Sequence, residues 1–158
     1  MTRFVRWASL LFTGVFAGFL VGVLVLENSL RGYGASVYTQ VRQVELDSLD
    51  TLASVTLIPA ILATVVLAIR ARGNDRRRVL VAAALLVLVF AISLAINLPI
   101  NADQADWSAQ NPPADWSTVR DRWQLAHTIR TTAALLAFAT LTTALTYRTR
   151  TSPAPVRG

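Results

Sequence analysis

Residues 52–98 read LASVTLIPAILATVVLAIRARGNDRRRVLVAAALLVLVFAISLAINL. Two apolar runs, 52–69 and 79–98, lie on either side of a nine-residue segment that contains five arginines. Each run approaches the roughly 20 residues that an α-helix needs to cross a hydrocarbon core about 30 Å thick. Because the segment between the runs is short, the two predicted helices are antiparallel neighbours in a membrane.

Two further apolar runs, 7–26 and 129–147, occur in this chain of 158 residues, of which 54% are hydrophobic. The predicted fold is therefore all-α, a bundle of four transmembrane helices. We expect one membrane domain, 1–148, followed by a disordered cytoplasmic tail, 149–158.

The charged residues divide unevenly between the two sides of this predicted bundle. The side with both termini and the 70–78 segment carries ten arginines and one carboxylate, whereas the other side carries five arginines and eight carboxylates. By the positive-inside rule both termini are cytoplasmic, and we expect a multi-pass protein of the bacterial plasma membrane. The net charge of +6 then reflects topology and contacts with anionic membrane lipids, so nucleic acid is not an expected partner.

The chain has no cysteine and a single histidine, His127. Disulfides, thiol catalysis, thiolate metal sites and sites with two imidazoles are therefore excluded. Neither a dinucleotide fingerprint nor a Walker phosphate loop occurs in the sequence. We predict no metal site and no cofactor.

Two of the predicted helices are too long for the bilayer alone. Apolar and polar residues recur at helical spacing from Ser36 into the second run, and Asp115 is a good N-cap for a helix that begins at Trp116. Pro99 disfavours helix at the residue before it, so a loop is predicted over 97–111. Helices 2 and 4, extended beyond the membrane, would form an extracytoplasmic cap together with this loop.

The first run contains Gly14, Gly18 and Gly22, which form a doubled GxxxG pattern. Such a pattern lets a neighbouring helix approach closely. Packing within the chain is the favoured interpretation, and a homo-oligomer formed through this groove is the alternative.

Polar side chains collect at the predicted outer ends of the helices. On the fourth helix, spacings of three and four bring together Trp116, Arg120, Trp123, His127 and Arg130. The other helices contribute Glu27, Glu45, Asp50, Asn97 and Asn101. We expect these residues to meet in the closed bundle, with the carboxylates paired to Arg120 and Arg130. The alternative is a structural role as interface aromatics, snorkelling arginines and helix caps.

Several short motifs after the third run identify a family resemblance. The chain resembles the anthrone-oxygenase-like family of small four-helix membrane proteins in Asn97-Leu98-Pro99-Ile100-Asn101, Pro112-Pro113-Ala114-Asp115-Trp116, Arg120-Asp121-Arg122-Trp123, His127 and Arg130-Thr131. The resemblance implies oxidation of an anthrone, a lipophilic aromatic molecule, by molecular oxygen without a metal or flavin.

That chemistry requires a base and a group that stabilises negative charge. The candidate bases are His127, because imidazole titrates near neutral pH, and the carboxylates Glu27 and Glu45. Candidates for charge stabilisation and substrate binding are Arg120, Arg130, Asn101, Asn97 and Asp50, with Trp116 and Trp123 stacking on the rings. The alternative function is a non-enzymatic membrane protein that binds a lipid or small hydrophobic ligand, or a partner subunit.

Overall fold

The computed structural model describes residues 2–146, and the predicted tail at 149–158 lies outside these residues. Residues 2–146 form no β-strand and fold into helices, which confirms the all-α prediction: α1 (Thr2–Ser29), α2 (Ala35–Arg70), α3 (Gly73–Ile92), α4 (Leu98–Ala105) and α5 (Trp116–Thr146). A 3-10 turn at Leu30–Gly32 follows α1, and a π-helical turn at Ser93–Asn97 joins α3 to α4.

Three helical segments of the described chain are long and apolar enough to cross a membrane, namely Arg3–Gly32, Ala35–Arg70 and Gly73–Ala105. The chain is therefore a multi-pass membrane protein. The remaining long helix, α5, packs against α1 and α3 and closes the bundle. A span at 129–147, the orientation of the termini and the 1–148 domain boundary stay predictions.

The α2 helix extends well beyond the length of a single membrane crossing. It has 36 residues, or about 54 Å at a rise of about 1.5 Å per residue, against a hydrocarbon core of about 30 Å. It begins at Ala35, one residue before the predicted start, and continues through Pro59. The α5 helix begins at Trp116 as predicted.

The prediction of a loop over 97–111 is wrong for residues 97–105, because the third long helix continues to Ala105. A π turn makes this continuation possible: the N–H of Leu98 donates to the carbonyl of Ser93, five residues back. Wider hydrogen-bond spacing directly before Pro99 relieves the clash that a proline ring makes with the preceding helical turn. Pro99 then occupies the first turn of α4, where a missing N–H costs nothing.

The helices pack through small side chains. Among the fully buried residues of the main core are Ala60, Ala82, Ala134 and Ala137, which lie on α2, α3 and α5. Small residues let helix backbones approach closely, and close packing drives helix association in a membrane. A buried hydrogen bond of 2.8 Å between the hydroxyls of Ser9 and Thr64 links α1 to α2.

The three glycines of α1 have different surroundings. A Cβ added at Gly14 would come within 2.9 Å of the Phe138 ring of α5, so Gly14 serves packing within the chain. A Cβ at Gly18 or Gly22 would meet nothing within 4 Å. Pairing of two copies through Gly18 and Gly22 stays a prediction.

Candidate functional site

One cavity of about 210 Å³ lies between α1, α2, the α3–α4 segment and α5. Most of its lining is apolar, including Phe16, Leu57 and Phe90. The polar lining comes from three helical segments and consists of Arg42, Glu45, Asp50, Ser54, Ser93, Asn101 and Arg130. The cavity therefore combines an apolar wall with two cations and a buried carboxylate.

Arg42 is the centre of the polar wall. Its guanidinium is buried and contacts two buried carboxylates, since Nη1 lies 3.3 Å from Oε1 of Glu27 and also donates to Oε2 of Glu45. Nε donates to Oε1 of Gln104 at 3.0 Å, and Nη2 donates to Oδ1 of Asn101 at 3.0 Å. Buried charges are costly unless they are paired, and the single charge of Arg42 serves two buried carboxylates at once.

Asn101 connects this cluster to α5. Its Oδ1 accepts hydrogen bonds from Nη2 of Arg42 and, at 2.7 Å, from Nε1 of Trp123, while its Nδ2 donates to Asp50 at 3.3 Å. The carbon of the Arg42 guanidinium lies 4.3 Å from the centre of the Trp123 ring, within the range of a cation–π contact. The asparagine and the tryptophan thereby fix the orientation of Arg42 against the cavity.

The second cation, Arg130, has a different set of partners. Its Nε and Nη2 lie 3.0 Å and 2.9 Å from Nδ1 of His127, and its Nη1 donates to the Ser93 hydroxyl at 3.1 Å. Within residues 2–146 no carboxylate forms an ion pair with Arg130. Arg130 therefore brings to the cavity a positive charge that is not held in a direct ion pair, and Asp50 is a further carboxylate in the lining of the same cavity.

These contacts also determine the tautomer of His127. A guanidinium can only donate, so Nδ1 of His127 is the acceptor. The proton is then on Nε2, which lies 3.0 Å from the carbonyl oxygen of Leu20 and donates to it. His127 is fully buried and its ring stacks on Trp123, with the ring centres 4.8 Å apart. Both ring nitrogens are engaged, which favours a role in positioning Arg130 over a role as base.

The carboxylates differ in what remains available to a ligand. Both carboxylates have a buried Oε1 without a hydrogen-bond partner, but only Glu45 lines the cavity, whereas Oε1 of Glu27 lies beside Nη1 of Arg42. Glu27 lies behind the lining, where Nε2 of Gln124 donates to both its Oε2 and its backbone carbonyl at 2.8 Å. An unpartnered buried acceptor costs about 1–3 kcal/mol, so Glu45 retains a costly open position at the cavity.

The structure brings together most, but not all, of the predicted site residues. Those that line the cavity are Glu45, Asp50, Asn101, Trp123 and Arg130. Glu27, Asn97 and His127 lie behind this lining; Nδ2 of Asn97 donates to the carbonyl of Trp123 at 3.3 Å.

Arg120 and Trp116 do not reach the cavity. Arg120 pairs with the adjacent Asp121 at 3.0 Å and stacks over Trp116. Trp116 in turn packs against Tyr38. The expected pairing of the site carboxylates with Arg120 and Arg130 is wrong, because Arg42 of α2 takes that place.

Arg42, Gln104 and Gln124 are the residues that the sequence prediction missed. Arg42 had a usable signal, since it lies three residues before Glu45 and four after Tyr38 and so shares their helical face. Gln104 falls in the segment predicted as a loop, and Gln124 is adjacent to Trp123 in a run with no motif.

The family of the chain follows from a comparison with known protein families. The family model described as anthrone oxygenase matches residues 49–140, more than half of the chain. The chain belongs to the anthrone oxygenase family. No curated protein and no solved structure matches it. The matched residues include Asn101, Trp123 and Arg130 of this anthrone oxygenase family member, whereas Arg42 and Glu45 lie before them.

Proposed function

We propose that this protein oxygenates a lipophilic aromatic molecule of the anthrone type with molecular oxygen in the cavity beside Arg130. One observation carries the proposal: a mostly apolar cavity holds both a carboxylate with an unpartnered oxygen, Glu45, and a guanidinium with no carboxylate partner, Arg130. The family supports the same chemistry.

The first step is removal of a proton. Oε1 of Glu45 takes a proton from the methylene carbon between the two aromatic rings, and the electron pair of that C–H bond delocalises onto the carbonyl oxygen. Arg130 stabilises the negative charge on this oxygen. A fixed cation in a site of low dielectric stabilises a developing oxyanion more strongly than water does. His127 and Ser93 hold Arg130 in place for this step.

The second step is reaction with molecular oxygen. The carbanion transfers two electrons to O2 and forms a C–O bond, and the resulting peroxide takes a proton from Glu45. The hydroperoxide then loses water as its O–O bond breaks and its remaining C–H proton leaves, which gives a second carbonyl group. One oxygen atom of O2 stays in the quinone and the other becomes water, so the overall reaction balances with one O2 for each anthrone.

The remaining cavity residues are proposed to bind and orient the substrate. The Trp123 ring and the apolar side chains of α1 offer flat surfaces for the rings, and Asn101 and Asp50 lie at the polar end. We also propose that the protein lies in the bacterial plasma membrane with both termini in the cytoplasm. The outer parts of α2 and α5 then form an extracytoplasmic cap with α4, which the distribution of arginines supports.

The proposal is tested by oxygen uptake of the purified protein in nanodiscs, with a panel of anthrones as substrates. We expect uptake that depends on the protein and an equal molar amount of anthraquinone. Glu45→Gln should lower the turnover number by about 10²–10⁴-fold, the usual contribution of a positioned base. Asp47→Asn is the matched control, because Asp47 is an exposed carboxylate on the same helix outside the cavity. No uptake with any anthrone, or equal turnover of the two variants, would contradict the proposal.

The second candidate is binding of a lipid or small hydrophobic ligand without turnover. The apolar lining of the cavity favours it. In the same nanodiscs this function would give saturable binding of an anthrone with no oxygen uptake.

A further inference from the structure

Residues of α2 and of the α3–α4 segment both line the cavity and are exposed on the outside of the bundle, which indicates an opening between these two segments. Three residues of α2 at spacings of four, Asp50, Ser54 and Ile58, line the cavity and are exposed on the outside of the bundle. Facing them is a second row at the same spacing, which consists of Phe90, Leu94 and Leu98. We call the space between these two rows the slot.

The slot has an apolar rim along most of its length. Ile58, Leu94 and Leu98 are 50%, 49% and 49% exposed, although each lines the cavity. All three lie on segments long and apolar enough to cross a membrane. Half-exposed apolar side chains on such segments face lipid, because lipid tails are as apolar as the side chains themselves. The opening is therefore toward lipid.

The polarity of the slot changes along its length. At the outer end Asp50 accepts a hydrogen bond from Asn101, and the buried Arg42 lies directly behind. At the inner end the rim consists of Ile58 and Phe90. The π turn at Ser93–Asn97 lies between these ends, and it directs Ser93 inward to Arg130 while Leu94 stays at the rim. Such π turns are frequent at functional sites.

We propose that the slot is the entrance through which a lipid-dissolved amphipathic aromatic molecule enters the cavity directly from the bilayer. Its apolar rings pass between the rim residues Ile58 and Leu94, and its carbonyl oxygen is directed to Arg130, which Ser93 contacts beside this part of the rim. The identity of this molecule rests on the proposed function. The new element is the route by which the molecule enters and its orientation on entry. The route itself is testable without turnover.

The test uses Trp123, which lines the cavity and is 2% exposed. The protein is reconstituted into bilayers of phosphatidylcholine with brominated acyl chains, which quench tryptophan fluorescence on contact. The contribution of Trp123 is obtained by subtracting the emission of the Trp123→Phe variant from that of the wild type. We expect the bromolipid to remove most of this contribution, whereas acrylamide in the aqueous phase should leave it largely intact.

Variants of the rim provide the matched controls. Ile58→Phe with Leu94→Phe narrows the slot and should restore the Trp123 emission in bromolipid. Leu62→Phe with Leu136→Phe changes two exposed apolar residues that do not line the cavity and should leave the quenching unchanged. Trp123 emission that resists the bromolipid but is quenched by acrylamide would overturn the proposal, because the cavity would then open to water. Lipid quenching without oxygen uptake would instead count against the proposed function and leave the slot in place.

Discussion

Substitution of Arg42 by glutamine should destabilise this protein more than any other single change to the polar cluster. The substitution removes the guanidinium from between Glu27 and Glu45, both of which are buried and have no other cation within ion-pair distance in the described chain. Breaking a buried ion pair by removal of one partner costs about 3–5 kcal/mol, because the remaining charge has no compensation. At about 1.4 kcal/mol for each factor of ten, the folding equilibrium should fall by between two and four orders of magnitude.

Reversible unfolding in mixed detergent micelles, followed by circular dichroism, measures this cost. The triple variant Arg42→Met, Glu27→Gln, Glu45→Gln removes all three charges and should recover most of the lost stability, since the penalty comes from unpaired charge. Arg31→Gln is the control, because the ion pair of Arg31 with Asp121 has about half of each side chain exposed and should contribute at most about 1 kcal/mol. A cost for Arg42→Gln within about 1 kcal/mol of that control, or a triple variant no more stable than the single one, would refute the reasoning.

Three further predictions use the same unfolding assay. Gly14→Leu should cost about 1–3 kcal/mol because α5 leaves no room there, whereas Gly18→Leu should change little, and equal effects would contradict the assigned packing. Trp123→Phe keeps an aromatic ring but loses the hydrogen bond to Asn101 and part of the buried indole, and should cost at least about 1 kcal/mol; an unchanged midpoint would contradict this. His127→Phe removes the hydrogen bonds of both ring nitrogens and should cost about 1–3 kcal/mol, and a more stable variant would show that these bonds do not stabilise the fold.

The helices were predictable because apolar runs and their arginine flanks report directly on membrane crossing. The start of α2 near Ser36 followed from helical spacing, and that of α5 at Trp116 followed from a capping residue. The continuation of the third long helix past Pro99 was not predictable by the same reasoning. It depends on the π turn, a local change in hydrogen bonding that has no simple sequence signal.

The composition of the site was easier to predict than its pairing. Glu45, Trp123 and Arg130 were predicted because helical spacing identifies which residues share a face, and Asn101 was predicted from its position at the outer end of the third apolar run. Which arginine meets Glu45 depends instead on how neighbouring helices are rotated, and spacing along one helix carries no information on that. Spacing does put Arg42 on the same helical face as Glu45, but it does not show that Arg42, rather than an arginine of α5, pairs with the buried carboxylates.

The most direct test of oxygenation in this cavity is the turnover of an anthrone in nanodiscs by the wild type, Arg130→Gln and Arg120→Gln. Both variants lose one arginine of α5, but only Arg130 lines the cavity, and Arg120 pairs with Asp121 outside it. We predict that Arg130→Gln lowers the turnover number by about 10²–10³-fold, as the loss of one oxyanion donor does, while Arg120→Gln retains it. Equal turnover by the two variants, both shown to be folded, would contradict oxygenation at this site.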